Sequence, residues 1–291
     1  MSWAKAKSLF DGEPEIKLTD YTILDQVFLG VSEGGIQTAM SMPRFRLMFD
    51  IGRGSPRLVE IPRILLTHGH LDHASGVPYH ISQRSLRHLP GCEIFCPPEL
   101  KEPLEKILEL WAEIEGFRTE YALNSVDYGT VYPLQGNHYF KAVRTIHRIP
   151  SNAYSILEKT TKLKPEYKNL PGQEIARLKK EKDLFYEAYN PIVTFSGDTQ
   201  IEFVLDNEEV RKSKILFLEC TYVDEDRPVE RARKWGHIHL FEIAEHAEAF
   251  RDVQKLVLIH FSPRYRPEKI RQAISQRLPG WLAEKTIPFL S

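Results

Sequence analysis

The sequence predicts an α/β fold, in which helices cover a layered sheet core and a functional site lies along one sheet edge. Two observations support this prediction. Short apolar, β-branched runs recur along the chain and end at polar side chains, as buried strands bounded by turns do. Segments with helical spacing lie between these runs, and this alternation is typical of α/β architectures.

Five apolar runs end at side chains that can bind a metal ion or a proton. They are Phe45–Phe49 before Asp50, Ile64–Thr67 before His68, Ala142–Ile146 before His147, Ile192–Phe195 before Ser196-Gly197-Asp198, and Leu256–Ile259 before His260. Any one of these histidines could be a packed or surface imidazole. Five strand ends of one kind favour a shared site instead, because functional side chains gather at the ends of rigid elements.

Apolar residues recur at helical spacing in three further segments. The predicted helices are Ile238–Arg251, Pro267–Arg277 and Pro98–Ile114, the last with Leu100, Leu104, Ile107, Leu108 and Trp111 as its apolar residues. No internal repeat or linker interrupts the pattern. We therefore predict one domain over residues 1–291, with a charged insertion at about 159–189.

The predicted insertion, Lys159–Tyr189, is rich in lysine. Gln173–Tyr189 has the composition of a charged, exposed helix, and the part before it, with Pro165 and Pro171, has that of an irregular loop. A solvated surface excursion and a substrate-gripping insertion both fit this composition.

The composition excludes several classes of protein. With 42% hydrophobic and 27% charged residues in 291, the chain is neither disordered nor membrane-spanning. The net charge of −1 gives no global attraction for nucleic acid, so a polyanion would need a local basic patch. The 3 cysteines favour reduced thiols, and Met1–Gly12 holds no apolar run of signal-peptide length. We expect a soluble, cytoplasmic protein.

The strongest motif is Thr67-His68-Gly69-His70-Leu71-Asp72-His73, directly after an apolar run. A strand-to-helix turn can direct alternate side chains into one pocket and add residues from the first helical turn. Three imidazoles and a carboxylate at this spacing suit borderline divalent cations such as zinc. The spacing indicates that Asp72 and His73 serve a second metal ion close to the first.

This HxHxDH motif is the hallmark of the metallo-β-lactamase superfamily, which the chain resembles along essentially its whole length. The resemblance implies the αββα four-layer sandwich and two divalent metal ions, most simply zinc, with manganese or iron as alternatives. It implies that one ion is held by His68, His70 and His147, the other by Asp72, His73 and His260, and both by Asp198. Asp50 matches the aspartate that orients a ligand histidine; a turn carboxylate is the alternative.

Later motifs narrow the resemblance to tRNase Z. Ser196-Gly197-Asp198-Thr199 is similar to the SGDT motif of phosphodiesterase-type members, whereas classical β-lactamases carry a cysteine there. Cys220 is therefore expected in the core. Pro150-Ser151-Asn152-Ala153-Tyr154 and His260-Phe261-Ser262-Pro263-Arg264-Tyr265 are also similar to tRNase Z segments.

In tRNase Z a histidine on a loop before a helix, steadied by a glutamate, donates the proton to the leaving group. Glu219 and His237 match these positions, with His239 as a close second; a helix-capping role is the alternative for either histidine. Such an acid contributes roughly 10²–10⁴-fold. Two cations lower the pKa of a water that they share, and Asp72 can orient that water.

The resemblance implies RNA or a small phosphodiester as substrate, with Ser151 and Arg264 as phosphate contacts, and a homodimer. The glycine- and proline-rich arm of tRNase Z has no counterpart, and Val31–Thr38 replaces its N-terminal substrate loop. We therefore predict a binuclear-metal phosphodiesterase or ribonuclease. The alternatives are a thioester or lactone hydrolase of the glyoxalase II type, which shares the metals but not the His237 acid, and a metal-binding scaffold that has lost activity.

Overall fold

Residues 18–290 are described by a computed structural model, and in them fourteen strands form two seven-stranded sheets. The first sheet contains β1 Thr19–Ile23, β2 Gln26–Glu33, β3 Gln37–Met42, β4 Leu47–Phe49, β5 Arg63–Leu65, β6 Cys92–Cys96 and β7 Tyr121–Ser125. The second contains β8 Tyr132–Pro133, β9 His138–Arg144, β10 Asn152–Leu163, β11 Phe185–Phe195, β12 Ile215–Glu219, β13 Lys255–Ile259 and β14 Thr286–Pro288.

The two sheets have the same pattern of strand directions. Strands β1 to β4 are antiparallel and β4 to β7 parallel; in the second sheet β8 to β11 are antiparallel and β11 to β14 parallel. Parallel strands end at the same edge of a sheet. The loops that follow β4, β5, β11, β12 and β13 therefore open toward one edge of the sandwich.

Alternation along the buried strands separates the layers. In β12, Ile215 and Phe217 belong to the core between the sheets, whereas Leu216 and Leu218 face the outer helices. Rings from the two sheets meet in this core: Phe49 stacks on Phe195 with centroids 4.9 Å apart. The result is the predicted four-layer αββα order.

Helices cover both outer faces. On the first sheet lie α1 Leu71–Ala74, α2 Val77–Leu86 and α3 Pro98–Glu115. The later helices are α4 Gly172–Leu178, α5 Glu202–Asp206, α6 Glu208–Arg211, α7 Val229–Trp235, α8 Leu240–Glu245, α9 Pro267–Arg277 and α10 Gly280–Ala283. Of these, α5 to α10 supply residues that pack on the second sheet.

The prediction for the insertion was wrong in its local structure. Residues 159–163 and 185–189 are not loop and helix but the outer parts of β10 and β11, which pair from Leu163 with Phe185 to Tyr154 with Phe195. Only Gly172–Leu178 is α-helical. The antiparallel pairing continues from the buried part of β10 and β11, whereas a short charged helix without an apolar face to pack is marginal in water.

The predicted helix Ile238–Arg251 was wrong at both ends. The α-helix begins at Leu240 after its N-cap His239, ends at Glu245, and is followed by a 3₁₀ turn at Ala247–Phe250. The predicted strand Ala142–Ile146 is displaced as well, since β9 ends at Arg144. Cys92, Cys96 and Cys220 are buried free thiols, as expected.

Within residues 18–290 no helix combines the length and apolar character needed to span a bilayer. The expectation for Met1–Gly12 lies outside the described residues.

Candidate metal centre

The HxHxDH segment begins after β5 and continues into α1, at the edge where the parallel strands end. His70 is the extended N-cap of α1, with φ −65° and ψ 148°, and its carbonyl accepts the backbone N–H groups of His73 and Ala74. The chain therefore passes His68 and His70 in extended form and places Asp72 and His73 in the first helical turn. This geometry directs four side chains toward one space.

The first cluster combines His68, His70, His147 and Asp198, with one ligand atom from each. His68 Nε2 lies 3.0 Å from His70 Nδ1, and His147 Nε2 lies 3.3 Å from the same atom. Asp198 Oδ2 lies 3.6 Å from His68 Nε2 and 3.9 Å from His147 Nε2.

The second cluster combines Asp72, His73 and His260. His73 Nε2 and His260 Nε2 are 3.3 Å apart, and Asp72 Oδ2 lies 3.6 Å and 3.4 Å from them. Asp198 Oδ1 lies 3.4 Å from each of the two imidazole nitrogens. Asp198 therefore turns one carboxylate oxygen to each cluster.

The residues fit a pair of divalent cations. Asp198 is 2% exposed, and its Oδ1 is a buried oxygen with no hydrogen-bond partner within residues 18–290. A buried carboxylate oxygen without a partner is costly unless a cation compensates it. Imidazole nitrogens and carboxylate oxygens are a donor set suited to zinc and its neighbours in the first transition series.

Four histidines are oriented by contacts on the ring nitrogen away from the clusters. His73 Nδ1–H donates to Asp50 Oδ2 at 2.7 Å, and His147 Nδ1–H donates to the carbonyl of Gly236 at 2.9 Å. These donors fix the tautomer, so that the Nε2 lone pair faces the cluster.

The other two oriented histidines reach a buried carboxylate through a threonine. His68 Nδ1–H donates to Thr67 Oγ1, which donates to Asp50. His260 Nδ1–H donates to Thr221 Oγ1, which donates to Glu219. The two sheets thus use the same His–Thr–carboxylate arrangement.

Asp50 is fully buried in the left-handed region at φ 52°. Its Oδ1 accepts the Thr67 backbone N–H at 2.7 Å and the Thr67 hydroxyl, and its Oδ2 accepts the His73 Nδ1–H. Burial raises the pKa of Asp50, and the contacts with His73 and Thr67 oppose that shift. Its position matches the expected orienting aspartate and excludes an ordinary surface-turn carboxylate.

Burial keeps the first-cluster histidines neutral. It lowers the pKa of His68 well below its ordinary value, and burial is also the main cause that lowers the pKa of His70 and His147. Neutral imidazole is the form that binds metal ions.

The carboxylates stay ionised despite burial. Burial opposes the charge on Asp198, but the facing histidines, His260 foremost, hold its pKa well below the ordinary value. For Asp72 burial is likewise outweighed, chiefly by the His260 hydrogen bond, and the pKa is lowered to about 2. Burial also opposes protonation of His73, yet Asp198 and Asp50 raise its pKa well above the usual value. The centre therefore attracts positive charge.

His237 lies beside both clusters. Its ring centroid is 5.3 Å from that of His147 and 5.4 Å from that of His260. Its Nδ1 lies 2.9 Å from Oε1 of Glu219, a fully buried residue. Burial opposes the charge on His237, but Glu219 outweighs it and raises the pKa of the imidazole to about 9.

His239, the alternative to His237, has a different environment. Its Nδ1 accepts the Phe241 N–H at 3.1 Å, its Nε2 donates to the carbonyl of Asp224 at 3.0 Å, and its backbone N–H donates to Glu242. Nδ1 belongs to the capping box that starts α8, and Nε2 is taken up by the Asp224 carbonyl. His239 therefore caps a helix.

The two predicted phosphate contacts differ in exposure. Ser151 is 3% exposed and its hydroxyl is hydrogen-bonded to that of Thr145, so it supports the loop that carries His147. Arg264 is exposed, and its Nε donates to Ser262 Oγ at 2.8 Å.

Sequence reasoning missed the turn between β2 and β3. Gly35 N–H donates to Asp72 Oδ2 at 2.9 Å, and the backbone N–H of His260 donates to Ser32 Oγ at 3.0 Å. A Cβ on Gly34 would lie 2.7 Å from the His260 carbonyl oxygen. The adjacent glycines were the available signal, since such a pair permits close backbone approach.

Comparisons with known proteins agree with this geometry. A family model described as "Beta-lactamase superfamily domain" matches residues 51–261. Arabidopsis thaliana tRNase Z TRZ1 is 35% identical over 253 residues, which cover 86% of this chain and 90% of the relative. The chloroplastic tRNase Z TRZ2 of the same plant is 34% identical over 262 residues, 89% of this chain and 73% of the relative.

Solved structures support the fold. The metallo-β-lactamase fold protein YhfI from Bacillus subtilis has a TM-score of 0.58 at 14% identity, covering 88% of this chain and 92% of its own. Human tRNase Z, short form, has a TM-score of 0.54 at 22% identity, covering 81% and 92%. With the family model and the plant relatives, this likeness means that the chain belongs to the metallo-β-lactamase superfamily and, within it, is a tRNase Z-like metal-dependent hydrolase.

Proposed function

We propose that the protein is an endoribonuclease that hydrolyses a phosphodiester bond in RNA, as the names of its tRNase Z relatives suggest for them. The observation that carries the proposal is the His237–Glu219 pair beside the two clusters. A departing alkoxide needs a proton, and a positioned imidazolium is a suitable donor. Thioester hydrolysis expels a thiolate and makes no such demand.

We propose zinc as the pair of ions, held by the seven ligands His68, His70, Asp72, His73, His147, Asp198 and His260. When bound, two such ions activate water and stabilise the attacking and leaving oxygens of an in-line displacement. Manganese and iron are alternatives for the same donor atoms.

The chain's own residues supply the proton and the orientation. Glu219 accepts the Nδ1–H of His237, so that Nε2–H is left to donate to the leaving oxygen. Asp72 is held by Gly35 N–H and is proposed to orient the attacking water as well as to bind metal. Despite burial, Glu219 raises the pKa of His237 to about 9 and so favours the protonated form of the imidazole.

RNA would be held outside the centre. The outer parts of β10 and β11, with the segment between them, form a lysine-rich hairpin that can contact phosphates. Arg264 is the second proposed phosphate contact, whereas the burial of Ser151 favours a structural role. A homodimer and a cytoplasmic location remain predictions.

The discriminating assay compares purified metal-loaded protein on bis(p-nitrophenyl) phosphate, a 3′-extended precursor tRNA and a glutathione thioester. We expect turnover of both phosphodiesters. Thioester turnover without phosphodiester turnover would contradict the proposal and favour the glyoxalase II type.

The His237→Ala variant tests the acid. We expect kcat on RNA to fall by about 10²–10⁴-fold, the usual contribution of a general acid, with metal content unchanged. The control is His239→Ala, which removes a helix cap and should lower Tm while kcat stays near the wild-type value. A marked loss of metal in His237→Ala would instead assign His237 as a ligand, as its place near Asp198 and His260 permits.

A further inference from the structure

Two chain segments cross just outside the metal centre. The Gly236 carbonyl accepts the His147 Nδ1–H, and a Cβ on Gly236 would lie 2.7 Å from His147 Nδ1 and 3.2 Å from the Arg148 backbone nitrogen. Gly236 has φ 78°, which a glycine adopts without strain. Next to this crossing, Arg148 directly follows the proposed ligand His147, and Trp235 lies two positions before the proposed acid His237.

Trp235 and Arg148 stack on each other at the surface. The Arg148 Cζ lies 4.5 Å from the Trp235 ring centroid, and 43% of Trp235 is exposed. Arg148 is exposed, and within residues 18–290 it makes no ion pair beside its contact with Trp235. Its charge is therefore available to an external anion.

A second stacked pair in the molecule shows the contrast. Arg251 lies 4.2 Å from the centroid of Trp281, but Glu248 accepts two hydrogen bonds from its guanidinium, at 2.8 and 2.9 Å. Trp281 is partly buried against the outer core. In the second pair the arginine charge is neutralised and the tryptophan packs against the core. In the pair beside the metal centre the arginine has no ion-pair partner among the described residues, and the tryptophan is exposed.

The position of the first pair is fixed by Gln200. Its side-chain amide donates to the Arg233 carbonyl at 2.8 Å, near the end of α7, and its backbone N–H donates to the Ile146 carbonyl at 3.0 Å. Both segments that carry the pair are thus tied to the loop after Asp198. A contact surface held in this way binds with little loss of conformational freedom.

We infer that Arg148 and Trp235 form a nucleotide subsite, in which a base of the RNA next to the scissile bond stacks on the indole and the guanidinium contacts a backbone phosphate. Aromatic rings bind unpaired bases through their faces, and arginine pairs with phosphate. The inference rests on the proposed function, because only a substrate that extends beyond the scissile phosphate reaches this pair.

The test is a binding measurement that does not need turnover. The Kd of a fluorescein-labelled oligouridine 12-mer is measured by fluorescence anisotropy. The protein is first treated with a chelator that removes metal ions, so that the RNA is not cleaved. For Trp235→Ala we expect Kd to rise about 10-fold, the usual effect of losing one stacked base. Trp235→Phe should restore most of the affinity. Trp111→Ala, which removes an equally exposed indole on α3, should bind as the wild type does.

An oligonucleotide without bases separates stacking from phosphate contact. The wild type should bind it more weakly than oligouridine, and Trp235→Ala should add no further loss, whereas Arg148→Ala should weaken both probes. The inference would be overturned if Trp235→Ala lost affinity equally for both probes, or if its affinity for oligouridine fell less than two-fold.

Steady-state assays complete the test. In Trp235→Ala the ratio of kcat/KM for RNA to that for bis(p-nitrophenyl) phosphate should fall about 10-fold, in line with the lost stacking. A parallel fall on both substrates would indicate displaced His147 or His237 and would overturn it as well. If the binding results hold but no phosphodiester is cleaved, the subsite stands and the proposed function fails.

Discussion

Buried histidines at the sheet edge and in the outer helix layer differ in what their ring nitrogens contact. At the edge, His73 donates one N–H to Asp50, and its other nitrogen faces only Asp198, Asp72 and another imidazole nitrogen. In the helix layer, His239 uses both nitrogens on backbone groups, and His80 Nε2 donates to the Ile61 carbonyl. Burial alone therefore does not identify a metal site. A buried ring nitrogen that faces carboxylates and other imidazoles, and no backbone group, does.

The largest effect should follow from removing the charge shared by the two clusters. Asp198→Asn keeps the shape but replaces a bridging carboxylate by an amide. We expect metal content to fall and kcat to drop by at least about 10³-fold, because each ion supplies several kcal/mol of transition-state stabilisation. Metal analysis and steady-state kinetics check this. Retention of two ions per chain would contradict this comparison, because metal binding at the sheet edge would then not depend on the Asp198 charge.

A smaller effect is expected for Asp50, which contacts ligand histidines but is not itself a proposed ligand. Asp50→Asn keeps the side-chain volume but weakens the orientation of His73 and, through Thr67, of His68. We expect metal affinity to fall about 10–100-fold, as is usual for outer partners of ligand histidines. Competition with a chelator measures this. An unchanged affinity would mean that the sheet-edge histidines are oriented by packing and not by the contacts with Asp50.

The smallest effect concerns His80. Burial, aided by Arg84, lowers the pKa of His80 to about 4, so that the unfolded chain binds more protons than the folded one between pH 4 and 6.5. This contribution to stability is complete above pH 6.5 and is lost as the pH falls. Relative to His80→Gln, the free energy of unfolding should drop by about 1 kcal/mol between pH 7 and 5.5. A difference that does not vary with pH would contradict the shift.

Some of this arrangement could be predicted from the sequence and some could not. The HxHxDH segment is local, so its spacing alone indicates that His68, His70, Asp72 and His73 share a space. Asp198 and His260 required the family resemblance. The choice between His237 and His239 depended on where α8 begins, and the predicted start at Ile238 was too early to separate the proposed acid from the helix cap.

The insertion illustrates the limit of periodicity. Its charged residues suggested a helix, but Thr160 and Thr161, with Tyr186 and Tyr189, have the β-branched and aromatic character of strands. Pairing between β10 and β11 joins residues up to 41 positions apart, from Tyr154 to Phe195, and no local window contains that information. The Gly35 contact with Asp72 joins distant segments in the same way.

The dispersal of the seven proposed ligands has a consequence for how the protein matures. They extend from His68 to His260, and the last of them follows β13, the third of the four parallel strands in the second sheet. A growing chain on the ribosome therefore lacks a complete second cluster until residue 260 has been made. We expect the second ion to be loaded only after β13 has been made, so that this step of metal loading acts on chains that already contain both sheets of the site.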